Sequence, residues 1–145
     1  MSKTPMIGKM AIHFSSKTTE WQTPRAFFQA IDTEFELNTD VCATNQNKMC
    51  KKFFSKKEDG LKQDWFGRRC WLNPPYGREI GKWVEKAATG GADIVVALLP
   101  ARTDTKWFHD HIYKKSEIRF LRGRLKFGTS KTSAPFPNMI VIFRK

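Results

Sequence analysis

Acidic residues, cysteine and long apolar runs are all scarce in this sequence, and each scarcity removes a class of protein. Only 14 Asp and Glu stand against 26 Lys and Arg, a formal charge of +12. Such a chain suits a polyanion: nucleic acid first, an anionic membrane surface second. The three cysteines, Cys42, Cys50 and Cys70, are odd in number and irregularly spaced. They suggest neither a disulfide framework nor a zinc knuckle, and point to a reducing setting inside the cell. There is no signal-peptide pattern and no apolar run long enough to span a bilayer. A soluble, cytoplasmic protein with no membrane partner is expected. Large apolar residues are not scarce. At 40% hydrophobic and 13% aromatic, the chain has too much to bury to remain disordered. Its 145 residues suit one domain, with no room for a separate recognition module.

Residues 1–19 show little apolar periodicity, with Lys3, Lys9 and Lys17 among Ser and Thr. They read as a flexible basic leader to a single domain over residues 20–145. Thr23-Pro24 predicts a helix start, Thr as N-cap and Pro at the first helical position. Phe27, Phe28, Ile31 and Phe35 then form its inner face. Residues 36–42 alternate Leu37, Thr39 and Val41 with polar neighbours, a short strand ending near Asp40 to Ala43. Residues 44–68 are polar and Lys-rich, a loop with room for one short helix. Cys70-Trp71-Leu72 is a short buried strand, halted by two prolines that cannot continue it.

The second half is more regular. Ile80, Trp83, Val84, Ala87 and Ala88 fall on one helical face, and Gly90-Gly91 stops that helix. Residues 93–99 are a continuous apolar run, as in a central parallel strand covered on both faces. Asp104 is placed to cap a helix reaching about Tyr113, with Trp107, Phe108 and Ile112 inward. Residues 117–121 and 124–127 read as two strands joined at Arg122-Gly123, and 139–143 as a last one. This alternation predicts an α/β fold with a largely parallel sheet and a β-rich C-terminal end. Ligands of such sheets bind at the carboxyl ends of the strands. Asp40 to Ala43 and Asn73 to Tyr76 both fall there.

Asn73-Pro74-Pro75-Tyr76-Gly77 carries the chemistry. Two prolines fix two φ angles and remove two N–H groups, so the loop is stiff and its carbonyls point where the turn dictates. Asn73 adds an amide acceptor and donor, Tyr76 a flat π face, and Gly77 close approach. Two acceptors beside an aromatic platform suit an aromatic amine. Its lone pair is delocalised into the ring, and bonds to both N–H groups turn that pair toward an electrophile. Tyr76 is then expected to stack on the base. A base inside a duplex is out of reach until it is flipped out, and the gain in rate comes from positioning and fixed electrostatics.

Asn73-Pro74-Pro75-Tyr76 is similar to the (Asp/Asn)-Pro-Pro-Tyr motif of amino-methyltransferases. With other segments it resembles the phage Dam-type DNA N-6-adenine methyltransferase family. Those segments are Glu20-Trp21-Gln22-Thr23-Pro24, Thr39-Asp40-Val41-Cys42-Ala43, Asp59-Gly60-Leu61 and Gln63-Asp64-Trp65. Further on come Leu98-Leu99-Pro100-Ala101-Arg102-Thr103-Asp104-Thr105, Phe120-Leu121-Arg122-Gly123-Arg124-Leu125-Lys126-Phe127-Gly128 and Ser133-Ala134-Pro135-Phe136-Pro137.

The resemblance implies a Rossmann-like class I methyltransferase fold, S-adenosylmethionine as cofactor, double-stranded DNA as partner and adenine N6 as target. It also implies host-cell cytoplasm if the chain is phage-encoded. Asn73, Pro74, Pro75 and Tyr76 would be catalytic. Thr23 and Pro24 match a segment that helps hold the methionine end of the cofactor. Asp40, Cys42 and Ala43 match the first strand end, which contacts the cofactor, and Asp64 matches a residue that meets its adenine. Asn73 borders the same site. Arg102, Arg122, Arg124 and Lys126 are candidates for phosphate contact, which positions DNA without reading its sequence.

Two departures stand out. Ala43-Thr44-Asn45-Gln46-Asn47 replaces the glycine-rich turn usual after the first strand, although Asn tolerates positive φ. The stretch between Cys42 and Cys70 is too short for the full set of strands, so the sheet should be shortened at one edge. The usual acidic ligand for the cofactor ribose goes with it, leaving Glu58 or Asp59 as substitutes. Other targets remain open at this point: cytosine N4, RNA or a protein amide. So does a non-catalytic basic DNA-binding module on a degenerate scaffold. No metal is required; His109 and His111 sit two apart, on different faces of a helix.

Overall fold

Seven consecutive residues, Ile94–Pro100, form strand β4, and every one of them is buried. Nothing polar interrupts the run, so the strand has no face to offer to water and must lie mid-sheet with cover on both sides. The structure, a computed structural model, describes residues 22–127 and 133–145. The expected basic leader lies outside them. In chain order the elements are α1 (Arg25–Phe35), β1 (Thr39–Asp40), β2 (Lys52–Phe53), a 3-10 turn (Gly60–Lys62), β3 (Arg69–Leu72) and α2 (Ile80–Thr89). Then come β4, α3 (Lys106–His111), β5 (Glu117–Phe120) and β6 (Asn138–Arg144).

The six strands make one sheet in the order β2-β1-β3-β4-β6-β5. β1 runs parallel to β2 and β3, and β3 parallel to β4. β6 runs antiparallel to β4 and to β5, so β5 points the same way as β4. The fold is mixed α/β, and the largely parallel sheet carries one reversed strand.

Side chains alternate across the sheet and build two cores. Val95, Ala97 and Leu99 of β4 pack with Ile80, Trp83 and Val84 of α2 and Phe108 of α3. Ile94, Val96 and Leu98 face the other way, with Phe28 and Phe35 of α1. The strand period of two sets this sorting. Phe28 meets Trp71 of β3 edge to face at 5.2 Å, which docks α1 on the sheet. Within α2, Ile80, Trp83, Val84 and Ala87 are buried as expected, whereas Ala88 is exposed.

Several local expectations need correction. Thr23 does not cap α1: Pro24 occupies the cap position and makes no side-chain cap bond, while the Thr23 hydroxyl is spent elsewhere. The strand expected over 36–42 is only Thr39–Asp40. Glu36 takes a left-handed φ of 52° that ends α1, so the chain cannot extend until it has passed this turn. Residues 44–68 hold a strand, β2, where only loop and helix were expected. It is two residues long at the sheet edge, so that edge is indeed short. α3 is capped by Thr105, whose Oγ1 accepts the Phe108 N–H at 3.3 Å, and not by Asp104. Residues 124–127 are not a strand; Phe127 and Leu125 pack instead in the core beneath α1.

Candidate active site

β1, β2 and β3 end side by side, and the segments leaving them enclose a cavity of about 460 Å³. After β1 come Val41, Cys42, Ala43, Thr44 and Asn47; after β2, Phe54, Ser55, Lys56, Asp59 and Gly60; after β3, Asn73 and Pro75. Gln22 and Trp83 complete the wall. This is where the parallel rule places a ligand, and the volume falls in the small-molecule range of roughly 300–1,000 Å³.

The turn after β1 manages without glycine. Asn47 Oδ1 accepts the Thr44 N–H at 2.7 Å, and Thr44 Oγ1 accepts the Asn47 N–H at 3.1 Å. These reciprocal bonds close the turn, and no residue in it takes a positive φ. The positive φ expected of Asn is not needed. Asp40 ties the loop from below. Its carboxylate accepts the Cys42 N–H at 3.3 Å and the Met49 N–H at 2.9 Å. It is only 2% exposed, and burial pushes its pKa up to about 7 against the two N–H groups that favour the ion. Asp40 therefore shapes the loop from behind the cavity wall.

The Asn73 loop begins where β3 stops. Asn73 Nδ2 donates to Thr23 Oγ1 at 2.9 Å, which fixes the direction of the amide. Thr23 is itself buried just ahead of α1. Pro75 faces the cavity and Pro74 is buried. Tyr76 is only 6% exposed. Its hydroxyl donates to the Leu98 carbonyl at 3.0 Å, and the Asn138 Nδ2 approaches it at 3.4 Å. Phe136 packs edge to face on its ring at 5.4 Å. Burial raises the phenol pKa well above its ordinary value. The ring thus stands in the core rather than as the open platform expected for stacking, and its hydroxyl pins the loop to β4 and β6.

Asp64 is not among the residues that border the cavity. It is exposed, and its Oδ1 takes the Phe66 N–H at 2.9 Å. Glu58 is turned to Ser55, whose N–H and Oγ–H it accepts at 2.8 and 2.6 Å. Asp59 does border the cavity. Burial pushes the Cys50 and Cys70 thiols up to about 12, so neither is a nucleophile near neutrality. Arg102, Arg122, Arg124 and Lys126 are all exposed. Arg102 follows β4 and the other three follow β5, so they leave the sheet at the end where Asn73 follows β3. Arg124 Nη1 also donates to the Ala134 carbonyl at 3.3 Å. His109 Nε2 lies 2.7 Å from the Thr103 carbonyl. Among the described residues, no helix is long and apolar enough to cross a membrane.

The sequence reading missed the wall formed by Phe54, Ser55 and Lys56, because β2 is too short to show a period. It took Trp83 as core alone, and Trp83 is both buried and part of the cavity wall.

Comparison with known proteins agrees with this geometry. Residues 13–145 match the family described as DNA N-6-adenine-methyltransferase (Dam). The chain is 31% identical over 134 residues to a DNA N-6-adenine-methyltransferase of Haemophilus phage HP1, covering 85% of this chain and 77% of that protein. It is 32% identical over 111 residues to a protein of the same name from Escherichia phage T1, covering 72% of this chain and 45% of that one. With nearly all of its length matched, the chain belongs to the DNA N-6-adenine-methyltransferase (Dam) family.

Proposed function

We propose that this protein is a site-specific DNA methyltransferase that transfers a methyl group from S-adenosylmethionine to adenine N6 of a flipped-out base in double-stranded DNA. Residues 20–145 form its single domain, of Rossmann-like class I methyltransferase type, and it works in the cytoplasm of the host cell. The observation that carries the reading is the Asn73-Pro74-Pro75 segment in the wall of the cavity at the ends of β1 and β3, in a chain of this family.

The residues present fit the cofactor. Val41, Phe54, Pro75 and Trp83 offer apolar and aromatic wall, and Thr44, Asn47, Ser55 and Asp59 offer polar contacts. Cys42 and Ala43 line the floor at the end of β1, and Thr23-Pro24 stands behind Asn73. Bound there, S-adenosylmethionine supplies an electrophilic methyl group on a sulfonium. The protein's part is to present the amine. With its Nδ2 held by Thr23, Asn73 offers its Oδ1 to one amine N–H, and the stiff Pro74-Pro75 backbone offers a carbonyl to the other. The amine lone pair is then directed away from the ring, toward the cavity. Tyr76 holds the loop in place through its hydroxyl. Arg102, Arg122, Arg124 and Lys126 receive phosphates, and the net charge of +12 draws the duplex in.

The test is transfer of labelled methyl from S-adenosylmethionine to duplex DNA, followed by nucleoside analysis. N6-methyladenosine is expected from the wild type, and Asn73→Ala should lose at least a hundredfold in rate while keeping its fold. Label on cytosine N4 would reassign the target, and no label with no cofactor binding would sink the proposal.

A further inference from the structure

The cavity has one carboxylate on its wall, and it is not one that a strand end supplies. Asp40 turns inward to the Cys42 and Met49 amides, Glu58 to Ser55, and Asp64 lies off the wall. Asp59 alone remains. Its backbone takes φ 59° and ψ 92°, outside the ordinary regions for an L residue. Several contacts hold it there. Oδ1 accepts the Leu61 N–H at 3.1 Å, and its carbonyl accepts the Lys62 N–H at 2.8 Å. The next residue, Gly60, is wedged under the end of β1: a Cβ there would stand 2.0 Å from the Val41 carbonyl oxygen and 3.0 Å from the Trp83 ring. The Gly60 carbonyl is held in turn by the Trp65 indole N–H at 2.9 Å. A residue kept in a strained conformation by so many contacts, with one oxygen engaged in the turn, is placed to present the other.

Resting on the function proposed above, we infer that Asp59 is the anionic anchor for the nucleoside half of the methyl donor, accepting hydrogen bonds from neutral O–H or N–H groups of adenosine through Oδ2. Strand order supports the orientation. Asn73 follows β3 and Phe54 follows β2, with β1 between them, a span of about 10 Å at ordinary strand spacing. The reacting methyl must lie beside Asn73. The far end of the cavity has Phe54 and Trp83 as aromatic wall next to Asp59 and Gly60. Aromatic walls with one carboxylate suit a flat heterocycle and its sugar better than an amino-acid zwitterion.

Asp59→Asn isolates the charge. Asn keeps an oxygen for the Leu61 N–H and tolerates left-handed backbone, so the turn survives and the melting temperature of the variant should match the wild type. Calorimetric titration with S-adenosylhomocysteine and with 5′-methylthioadenosine, which lacks the amino-acid half, reads the effect. Asp59→Asn should weaken both by the same factor, about 10- to 100-fold. The 2′-deoxy and the inosine analogues then assign the donor. The analogue whose penalty in the wild type vanishes in Asp59→Asn names the ribose hydroxyl or the exocyclic amine. Unchanged affinity for both probes overturns the inference. So does a loss for S-adenosylhomocysteine alone, which would put the carboxylate on the ammonium of the amino acid. If the wild type binds neither probe, the cofactor reading itself falls.

Discussion

Asn73 Nδ2 and Thr23 Oγ1 are 2.9 Å apart although 50 residues separate them in sequence. A primary amide has two ends that differ only in what they bond, so an unanchored Asn can present either end to a substrate. The Thr23 hydroxyl removes that freedom. Thr23→Val keeps the volume and deletes the acceptor. It should lower kcat about 10- to 100-fold with a much smaller change in KM, because the amide can then face the wrong way. Steady-state methylation of duplex DNA measures both; an unchanged kcat would show that Asn73 is oriented by something else.

The Tyr76 hydroxyl acts on stability. Removing it strands the buried Leu98 carbonyl, its acceptor at 3.0 Å. Tyr76→Phe should cost about 1–3 kcal/mol in denaturant unfolding, with an unchanged m-value.

Gly60 has no space for a side chain. A Cβ at 2.0 Å from the backbone oxygen of Val41 cannot be relieved by moving a flexible tip, so β1 or the turn must shift. Gly60→Ala should destabilise the protein by about 3 kcal/mol and weaken S-adenosylhomocysteine binding in the same protein. Thermal melts and calorimetry check the two effects.

The basic loop should act on DNA alone. Replacing Arg122, Arg124 and Lys126 together by Ala should reduce the slope of log K against log salt by up to about 3. Affinity for S-adenosylhomocysteine should not change. Fluorescence anisotropy over a salt series reads the slope.

Asp40 makes stability depend on pH. Its folded pKa, about 7, lies above its ordinary value of 3.8, so the folded state holds the proton more tightly than the unfolded chain. The resulting stability is fully present below pH 3.8 and is lost as pH rises through about 7, at no more than about 1.4 kcal/mol per pH unit. Asp40→Asn removes this dependence. The stability of the wild type relative to Asp40→Asn should therefore fall between pH 5 and pH 8. A difference that stays flat or grows would mean that Asp40 is ionised throughout.

Legibility followed local signal strength. β4 announced itself because seven buried residues in a row admit few alternatives, and α2 because four of its buried positions repeat at helical spacing. Asn73 was visible because two prolines after an apolar run are unusual. β1 and β2 were poorly readable: at two residues each, they have no period, and their pairing with longer neighbours creates them. The role of Thr23 was hidden for a related reason. Its partner lies 50 residues away, and before a proline the same residue type is a good helix cap. Thr44 and Asn47 replaced the missing glycine through a reciprocal pair of bonds that no single-residue propensity reveals.

The reversed strand bears on how the chain is made. β6 is the latest strand in sequence, yet it lies between β4 and β5. Emerging from a ribosome, the chain can pair β1, β2, β3 and β4 early, but β5 has no neighbour until residues 138–144 have left the exit tunnel. Until then one side of β4, seven residues of apolar backbone, is an open edge of the kind that pairs with other chains. Synthesis should thus pass through a sticky interval that ends when β6 inserts. Nascent chains stalled near residue 127 should bind chaperones that chains released after residue 145 no longer need.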